Sequence, residues 1–594
     1  MNLDLFTYPS IPNFFSDLDI HFADLMTRLS GSPTKSLLLA AALVSRCRRE
    51  GHICLDLSLY AGKKLGEEGS ELPMCPPRQE WLEDLEKAET VGRPGEYKPL
   101  VLDGTRLYLY RYWNYEKQLL DFLKARSSRN NPLRENQKLE RGLARLFPQD
   151  EPSRTDWQKV AAYTAAIKKF CIISGGPGTG KTFTIAKILA LLLELEDRPL
   201  RMALSAPTGK AAARLQEALQ IAGEALNCRE DIKAAIPREA ATLHRLLKPI
   251  PDTPYFQHNA ANPLPFDVVV IDEASMVDLA LLSKLVQALS ADSRLILLGD
   301  KDQLASVEAG AVLGDICDTG QEHEFTGVFR EGYQRVTGEK LPVPEVEPGD
   351  TGIRDSIIQL KKSYRFGPSS GIGAVSRAVN QGESLEAMAL LKNPTHKDIH
   401  WQDLPYPEIL PSRLKELVVH GFSEYLRADS PESALALFGH FRILCALREG
   451  PFGVQSLNFQ VEKILRQAGL IPRGDLWYPG RPVMVTRNDY TLKLFNGDIG
   501  IALMDSQADN QLRIFFPSLD GGVRKFMPLR LPEHETVYAM TVHKSQGSEF
   551  QRILFILPDV STPLLTRELI YTALSRAREK AEIWAKDSTF HAAV

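Results

Sequence analysis

The chain has 594 residues, of which 44% are hydrophobic and 25% charged, and its formal net charge is −4. This composition excludes a disordered chain, and the length predicts several domains with a site between two of them. Because the net charge is small, binding of nucleic acid would need a local groove of basic and hydrogen-bonding groups.

The cysteines and the hydrophobic runs narrow the class of protein further. Seven cysteines are scattered without a C-x-x-C pair, which argues against a zinc ribbon or iron–sulfur cluster and favours a reducing cytoplasm. No run of about 18 uncharged apolar residues occurs, and acidic residues stand where a signal peptide is basic. The sequence therefore predicts a cytoplasmic protein that does not span a membrane.

The N-terminal region, residues 1–125, mixes helical and strand-like patterns. An apolar helical run at 36–47 is followed by a strand-like segment at 52–57 and an aromatic alternating strand at 106–113. These elements predict an α+β interaction domain. The aromatic strand is open to two interpretations, a docking face or one strand of a half-buried sheet.

Beyond Asp156 the pattern changes to short apolar strands, each followed by polar residues and a helix. Alternating strands and helices are typical of a parallel α/β sheet, in which ligands bind beside the carboxyl ends of the strands. We therefore expect the polar residues after four strands to converge on one site. The predicted strands are 170–173, 202–205, 268–271 and 295–298.

A stretch rich in Pro, Gly and Glu at 332–352 predicts a loop or linker, and a second series of strands follows it. Short strands with turns at Asn496-Gly497-Asp498 and Asp520-Gly521-Gly522 predict a small β-barrel inserted at about 486–535. The resulting division is 1–125, 126–345 and 346–594. The second series of strands is 442–446, 482–485, 537–541, 553–557 and 582–585.

A complete G-x-x-x-x-G-K-T motif lies between a predicted strand and a predicted helix. In such a P-loop, glycines let backbone N–H groups surround the phosphates of ATP, and the helix N-terminus adds positive potential. Lys181 is expected to reach the β and γ phosphates, and the Thr182 hydroxyl to ligate Mg²⁺. The motif is Gly175-Gly176-Pro177-Gly178-Thr179-Gly180-Lys181-Thr182.

Two acids follow the apolar run at 268–271, beside the expected position of the P-loop. Asp272 is predicted to hold Mg²⁺, and Glu273 to accept a proton from the attacking water, which indicates hydrolysis rather than binding alone. Gln303, after the next strand, can sense the γ-phosphate. Gln158 offers an amide donor and acceptor to the edge of adenine, which favours ATP over GTP.

Two arginines in the second half would complete this site if the two halves face each other. Arg365 and Arg576 could each stabilise the transition-state charge and couple closure of the domains to hydrolysis. Most arginines are simply solvated surface residues, so the sequence alone favours that explanation for each of the two.

The motifs, taken in this order, resemble the superfamily-1 helicases over about residues 150–590. Within that superfamily the chain resembles the RecD family, the alpha subunits of exodeoxyribonuclease V, particularly at 441–453 and 496–500. The motifs of the superfamily are the P-loop, Ala206-Pro207-Thr208-Gly209-Lys210-Ala211-Ala212, Thr242-Leu243-His244, Asp272-Glu273-Ala274-Ser275, Gly299-Asp300 with Gln303, Tyr364-Arg365, Val542-His543-Lys544-Ser545-Gln546-Gly547 and Ser575-Arg576-Ala577-Arg578.

This resemblance implies two RecA-like P-loop motor domains, a small Src-homology-3-like β insert and an N-terminal α+β interaction domain. It also implies 5′-to-3′ translocation on single-stranded DNA, driven by ATP and Mg²⁺, in a complex with RecB and RecC subunits that repairs double-strand breaks by recombination. The sequence has no D…E-x-K constellation of a nuclease, so the nuclease activity is expected in another subunit.

Matching by position assigns further residues. Lys181, Asp272, Glu273 and Gln303 match the catalytic set, Arg365 and Arg576 match the two arginine fingers, and Gln546 and Gly547 match ATP-binding positions. The strand-binding path would be lined by Thr208, Lys210, His244, Thr541 and His543, where hydroxyls and imidazoles can hold a strand without reading its bases. His244 and His543 are also explained as structural histidines.

Segment 249–265 occupies the place of a strand-separating pin, with Tyr255 or Phe256 as the wedge, although a plain connector explains it equally well. The region before the motors shows no helix-hairpin-helix modules, which favours a subunit of a complex. Two alternatives stay open: a standalone 5′-to-3′ helicase, and a scaffold that uses ATP as a switch with little unwinding.

Overall fold

The structure, a computed structural model, describes residues 14–594 except 32, 67–71, 128–136, 149–154, 307, 321, 345–351, 490 and 519–521. The chain forms three parallel or mixed α/β bodies and one small antiparallel sheet, and the two largest bodies have the RecA-like arrangement of a parallel sheet between helices. The predicted α/β fold class is confirmed.

The N-terminal body packs helices on a four-stranded sheet. The strands are β1 Cys54–Asp56, β2 Val91–Gly92, β3 Leu100–Asp103 and β4 Arg106–Leu109, and the helices are α1 Asp17–Leu29, α2 Lys35–Arg49, α3 Leu57–Tyr60 and α4 Arg78–Lys87. The order of the strands is β1-β4-β3-β2. Thr34 caps α2 by accepting from the Leu37 amide, and the fully buried Trp81 donates its indole N–H to the Ser36 carbonyl.

The predicted aromatic strand at 106–113 is only half a strand. Strand β4 ends at Leu109, and helix α5, Tyr110–Ser127, begins at the next residue. The reason is the spacing of the apolar side chains, because Tyr112, Leu119 and Leu123 share one helical face and pack in the core of the first motor. This helix therefore crosses the predicted boundary at residue 125.

The first motor is built on a six-stranded parallel sheet. Its strands are β5 Phe170–Gly175, β6 Met202–Ala206, β7 Ala240–Thr242, β8 Val268–Ile271, β9 Arg294–Gly299 and β10 Ile357–Leu360. Their order across the sheet is β10-β5-β9-β8-β6-β7. The central strands are buried along their whole length, as expected of a sheet covered on both faces.

The four strands predicted for this motor are confirmed, but β7 and β10 were not predicted from the sequence. Strand β10 pairs with β5 in parallel register, Ile358 beside Ile173, so the first sheet extends past the predicted boundary at residue 345. The two strands have only three and four residues, so they are too short to show an alternating pattern of apolar side chains. Pairing with neighbouring strands stabilises their extended conformation.

The helices of the first motor cover both faces of the sheet. They are α6 Gln137–Leu146, α7 Trp157–Ile167, α8 Lys181–Leu195, α9 Gly209–Glu224, α10 Glu230–Ala235, α11 Leu243–Leu247, α12 Leu279–Gln287, α13 Val312–Cys317 and α14 Gly327–Thr337. Helix α14 occupies the start of the predicted linker at 332–352, because its face carrying Phe329, Tyr333 and Val336 is buried. Residues 345–351 of that predicted linker lie outside the described residues.

The second motor has a five-stranded parallel sheet. Its strands are β11 Ile399–Asp403, β12 Phe441–Cys445, β18 Ala539–Thr541, β19 Phe550–Ile556 and β20 Ala577–Ala585, in the order β11-β20-β19-β12-β18. Its helices are α15 Gly371–Gln381, α16 Ser384–Leu391, α17 Leu410–Leu426, α18 Pro431–Phe438, α19 Val454–Gln467, α20 Arg567–Ser575 and α21 Asp587–Ala593.

The predicted strand at 482–485 exists, but it belongs to the insert and not to the parallel sheet. The strands of the insert are β13 Pro482–Val485, β14 Ile499–Asp505, β15 Gln511–Pro517, β16 Val523–Phe526 and β17 His534–Thr536. Strand β13 pairs antiparallel with its neighbours on both sides in a sheet of order β16-β15-β14-β13-β17. In the described part of the insert the outer strands β16 and β17 do not pair, so the sheet is open.

The insert has its own small core and is tied to the second motor. Val483, Val485 and Phe516 belong to the insert's core, whereas Ile501 packs in the core of the second motor. The predicted turn at Asp520-Gly521-Gly522 falls largely outside the described residues. Within the described ranges of the chain, no helix has the length and apolar character needed to cross a membrane.

Candidate nucleotide and nucleic-acid site

The P-loop joins β5 to α8, and two glycines take backbone conformations that other residues rarely adopt. Gly178 has φ of 72° and Gly180, the N-cap of α8, has φ of 80°. The Thr179 hydroxyl donates to the Gly176 carbonyl at 2.8 Å, which closes the loop on itself. The exposed N–H groups at the start of α8 therefore face the space beyond the carboxyl end of the sheet, where phosphates bind.

Lys181 lies at the first position of α8 and its ammonium donates to two loop carbonyls, those of Gly175 and Gly176, the second at 3.2 Å. This holds the cation above the loop. The neighbouring Thr182 hydroxyl makes no hydrogen bond within the described residues, and it lies on the same turn of the helix. Lys181 and Thr182 are thus adjacent residues at the start of α8, beside the loop.

Asp272 and Glu273 follow strand β8 at the same edge of the sheet. Burial, together with the adjacent Glu273 carboxylate, raises the pKa of Asp272 to about 6, while Lys181 acts in the opposite direction. Glu273 has φ of 50°, a left-handed conformation that is costly for a residue with a side chain. Backbone strain of this kind concentrates at functional sites, which supports a role for Glu273 in the chemistry.

The two candidate ligands suit Mg²⁺. A hydroxyl and a carboxylate are hard oxygen donors, which Mg²⁺ prefers. Because burial raises the pKa of Asp272, a bound cation would stabilise the charged form of its carboxylate. The described part of the chain has no cluster of three or more His, Cys, Asp or Glu residues that could hold a metal ion. An ion held by Thr182 and Asp272 would therefore complete its shell with phosphate and water oxygens.

A buried network links the first motor to the second at Gln303. The Gln303 amide donates to Asp300 at 2.9 Å, and its oxygen accepts from the Arg576 guanidinium at 2.7 Å. The Tyr571 hydroxyl also donates to Asp300 at 2.9 Å, and burial raises its pKa well above the usual value, so the donor keeps its proton. Asp300 and Tyr571 were not predicted as site residues, although Asp300 stands within one of the quoted motifs.

Arg576 is only 4% exposed, and its other donors are directed to second-motor groups, among them the carbonyls of Thr572 and Ser548. Burial lowers the pKa of this guanidinium, and the negative charge of Glu273 opposes that effect. An arginine held at this depth between the motors is not a solvated surface residue. That alternative interpretation of Arg576 is excluded.

The second candidate arginine, Arg365, lies against the P-loop. A Cβ placed on Gly178 would come within 2.3 Å of the Arg365 Cβ, so only glycine permits this approach. The Tyr364 amide donates to the Gly178 carbonyl at 2.8 Å, and the Ser363 hydroxyl donates to the Pro177 carbonyl at 3.0 Å. The Arg365 guanidinium donates to Glu549 at 2.6 Å, and Glu549 is another residue that sequence reasoning missed.

Gln158 lies beside the other end of the P-loop. Its amide nitrogen donates to the Thr179 carbonyl at 3.1 Å, and a Cβ on Gly180 would lie 2.8 Å from that nitrogen. The Tyr364 ring, 63% exposed, lies near the same glycine. A planar base placed here would meet an amide on one edge and an aromatic ring on one face, and Tyr364 was quoted in a motif without being given this role.

Gln546 and Gly547 lie at the junction of the motors, where they contact groups of the first motor outside the P-loop. The Gln546 amide donates to the Leu304 carbonyl at 2.8 Å, and the Gly547 carbonyl accepts from Arg214 at 2.5 Å. These two positions hold the second motor against the first rather than touching the phosphate loop.

The residues predicted to contact a nucleic acid lie around the start of helix α9, on α11, and at the end of β18 and just after it. Thr208 caps α9 by accepting from the Ala211 amide at 3.2 Å. Lys210 follows it, and burial together with the positive charges of Arg214 and Arg442 lowers its pKa to about 7. Thr541 ends β18, and its hydroxyl accepts from the Lys544 amide at 3.3 Å.

His543 and His244 differ in their surroundings. His543, on a short 3-10 helix after Thr541, is half-buried, and burial lowers the pKa of its imidazole, which stays neutral at neutral pH. His244 is exposed on α11, and its ring lies 5.8 Å from that of Phe256. The exposed position of His244 argues against a purely structural histidine.

The segment at 249–265 forms a short hairpin, with antiparallel bridges between Pro249 and Phe256 and between Asn259 and Asn262. Phe256 is 9% exposed and packs in a core of the first motor, whereas the neighbouring Tyr255 is 69% exposed. Of the two aromatic residues considered for a wedge, only Tyr255 projects from the surface. The hairpin geometry favours a projecting element over a plain connector.

Three family models match the chain. Residues 12–108 match the N-terminal domain of RecBCD enzyme subunit RecD, residues 158–309 match an AAA domain, and residues 536–583 match a UvrD-like helicase C-terminal domain. The first of these covers the N-terminal body, the second contains the P-loop, and the third covers the region between Thr536 and Ile583.

Relatives of nearly the same length are similar along the whole chain. The chain is 38% identical over 588 residues to RecBCD enzyme subunit RecD of Mycolicibacterium smegmatis, covering 97% of this chain and 94% of the relative. It is 33% identical over 627 residues to the same subunit of Haemophilus influenzae, again covering 97% and 94%. The ATP-dependent RecD2 DNA helicase of Deinococcus radiodurans is 30% identical, covering 69% of this chain and 46% of that protein.

Solved structures give more distant likenesses. A structure of two coordinating Pif1 helicases at forked double-stranded DNA has a TM-score of 0.38 and 18% identity, covering 73% of this chain and 94% of that chain. A Pif1 helicase from Bacteroides with ADP-AlF3 and single-stranded DNA has a TM-score of 0.35 and 19% identity, covering 70% and 88%.

Proposed function

The chain belongs to the RecD family of RecBCD enzyme subunits, and from that premise we propose that it is an ATP-dependent DNA helicase subunit acting in the repair of double-strand breaks. It moves 5′-to-3′ on single-stranded DNA and assembles with RecB and RecC subunits. The observation that carries the proposal is the approach of two arginines of the second half to the P-loop side of the first motor. This is the arrangement expected of a motor that hydrolyses ATP between its domains.

ATP binds with its phosphates in the P-loop. The N–H groups at the start of α8 and the Lys181 ammonium hold the β and γ phosphates. Gln158 accepts from the adenine amino group and Tyr364 covers the face of the base. Thr182 and Asp272 would hold Mg²⁺, which supplies charge neutralisation between the β and γ phosphates.

Hydrolysis transfers the γ-phosphoryl group to water. Glu273 accepts a proton from the attacking water as the new P–O bond forms and the bond to ADP breaks. Arg365 and Arg576 stabilise the charge that develops on the transferred group. Gln303, held between Asp300 and Arg576, changes partner when the γ-phosphate is lost and passes that change to the second motor.

The DNA strand runs over the surface that carries Thr208, Lys210, His244, Thr541 and His543. Hydroxyl and imidazole groups hold phosphates and bases weakly enough to release them in each cycle. A neutral His543 can stack on a base without reading its identity. Tyr255, exposed on the returning arm of the hairpin, separates the strands ahead of the motor.

The alternatives are less well supported. A switch scaffold would not need Glu273, Arg365 and Arg576 together at one nucleotide site. A standalone helicase is represented by the RecD2 relative, and the similarity covers only 46% of the length of that protein. The similarity covers 94% of the length of the RecD subunits from Mycolicibacterium smegmatis and Haemophilus influenzae. All seven cysteines are free, which suits a cytoplasmic protein.

The test is unwinding of duplexes with a 5′ or a 3′ single-stranded tail, by the chain alone and with RecB and RecC, with Lys181→Gln as control. We expect only the 5′-tailed duplex to be unwound, and the substitution to abolish unwinding. Activity that requires RecB and RecC would identify an obligate subunit of the complex. Preference for the 3′ tail would contradict the polarity, and ATP binding without hydrolysis in every assembly would favour the switch scaffold.

A further inference from the structure

The carboxylate of Glu549 lies where the two motors meet, and three arginines surround it. Arg365 donates to its Oε1 atom at 2.6 Å, and Arg578 donates to its Oε2 atom at 2.8 Å. The guanidinium of Arg214, which comes from the first motor, lies 3.6 Å from Oε2. The side chains of Glu549 and Arg365 are 20% and 18% exposed, so the pair between them is only weakly screened by solvent.

One of the three arginines, Arg365, connects Glu549 to the proposed reaction. Arg365 lies against Gly178 of the P-loop through its backbone and Cβ, so its guanidinium is within reach of the γ-phosphate position as well as of Glu549. Phosphate and carboxylate compete for the same planar donors of arginine. Binding of ATP would therefore draw Arg365 away from Glu549.

Arg214 connects Glu549 to the proposed strand-binding surface. It lies on helix α9, one turn after Lys210, and the helix is capped by Thr208. Its other nitrogen donates to the Gly547 carbonyl of the second motor at 2.5 Å. Arg214 thus holds the DNA-contacting helix of the first motor to the segment of the second motor that carries Glu549.

We propose that Glu549 is a positioning residue that couples the nucleotide site to helix α9 by exchanging its arginine partners. When the γ-phosphate binds Arg365, the Glu549 carboxylate keeps Arg214 and Arg578 as partners and binds Arg214 of the first motor more strongly. When phosphate is released, Arg365 binds Glu549 again, and the interaction of Glu549 with Arg214 weakens. The inference rests on the proposed function, because it requires both an ATP cycle and a DNA strand on α9.

The exchange does not depend on protonation. Burial alone would raise the pKa of Glu549, but Arg365 and Arg214 outweigh that effect and lower it to about 2. The carboxylate is therefore charged throughout the physiological range. Arg576 is a further cation near Arg214, so the guanidinium of Arg214 gains more from a carboxylate partner than an isolated arginine would.

The test is Glu549→Gln in the full chain, which keeps the shape of the side chain and removes its charge. The ATPase rate is measured against oligo-dT concentration, and the Kd for oligo-dT is measured with no nucleotide, with a non-hydrolysable ATP analogue and with ADP. In the unaltered chain we expect the nucleotide state to change the Kd for DNA by about 5- to 150-fold, the usual size of such coupling.

In Glu549→Gln we expect the nucleotide state to change the Kd for DNA by only about twofold or less. The stimulation of the ATPase by DNA should fall as well, while the KM for ATP stays within about twofold of its value in the unaltered chain. Arg214→Gln, which leaves Glu549 and the P-loop untouched, is expected to have the same effect. The double variant should lose no more coupling than either single variant, because each single variant already removes the pair between Glu549 and Arg214. Glu579→Gln, an exposed glutamate of the same motor, serves as the matched control.

Three outcomes would overturn the inference. The first is that the nucleotide state still changes the Kd for DNA in Arg214→Gln. The second is that the losses of coupling in the two single variants add in the double variant. The third is that Glu549→Gln raises the KM for ATP and keeps the coupling, as expected if Glu549 contacted the nucleotide directly. Melting temperatures of all variants separate these outcomes from unfolding. Failure of the unaltered chain to hydrolyse ATP in the presence of DNA, both alone and with RecB and RecC, would instead contradict the proposed function, so the two failures are distinguishable.

Discussion

The guanidinium of Arg576 donates a 2.7 Å hydrogen bond to the amide oxygen of Gln303, and the two residues belong to different motors. Because the Gln303 nitrogen is already donating to Asp300, its oxygen is the atom turned towards the second motor. The proposed phosphate sensor and the proposed arginine finger are therefore in direct contact, and a movement of one displaces the other.

Arg576→Lys is expected to lower kcat for ATP by about 10²–10³-fold with little change in KM. Lysine keeps the charge, but its single ammonium cannot contact Gln303 while also holding the Thr572 and Ser548 carbonyls. Steady-state ATPase with saturating single-stranded DNA measures the effect. Arg567→Lys, an exposed arginine on helix α20, is the control, and a loss below about threefold would contradict the proposed role of Arg576.

Removal of Mg²⁺ by EDTA is expected to abolish ATP hydrolysis and to leave the melting temperature of the chain unchanged. The candidate ligand Asp272 is held by the protein fold without the ion, since it accepts from the Glu273 amide at 2.8 Å. Hydrolysis should return on addition of excess Mg²⁺. A large fall in melting temperature would indicate a structural ion elsewhere instead.

Gln158→Ala is expected to reduce the preference for ATP over GTP in kcat/KM by about three- to tenfold, the worth of one neutral hydrogen bond. The Gln158 nitrogen is occupied by the Thr179 carbonyl, which leaves the oxygen to accept from the adenine amino group. Guanine presents an acceptor at that position. Gln381→Ala, an exposed glutamine of the second motor, should leave the preference unchanged.

Tyr255→Ala is expected to slow unwinding of a tailed duplex by about tenfold and to leave the ATPase on single-stranded DNA within about twofold, because stacking of one base on an aromatic ring is worth roughly 1–3 kcal/mol. The Tyr255 ring is exposed while its neighbour Phe256 anchors the hairpin. Tyr406→Ala, another exposed tyrosine, is the control. Equal loss of both activities would show that the hairpin contacts the strand without separating it.

Much of the fold and of the nucleotide site can be predicted from the sequence because both are encoded locally. Buried parallel strands are continuous apolar runs, and the P-loop lies within eight consecutive residues between one such strand and a helix. Strand β10 and the end of β4 could not be predicted in the same way. In each case the sequence is short and ambiguous, and pairing or packing with a distant segment decides its conformation.

The order of the motifs along the chain was sufficient to predict the family, and it led us to propose one chemistry for Lys181, Asp272, Gln303 and Arg576. It could not place Glu549 among Arg214, Arg365 and Arg578, since those residues are separated by long stretches of chain and share no local pattern. Nor could it choose Tyr255 over Phe256, because exposure depends on which ring the core of the first motor accommodates. Contacts between distant segments depend on how the two motors pack, and packing is a property of the folded chain.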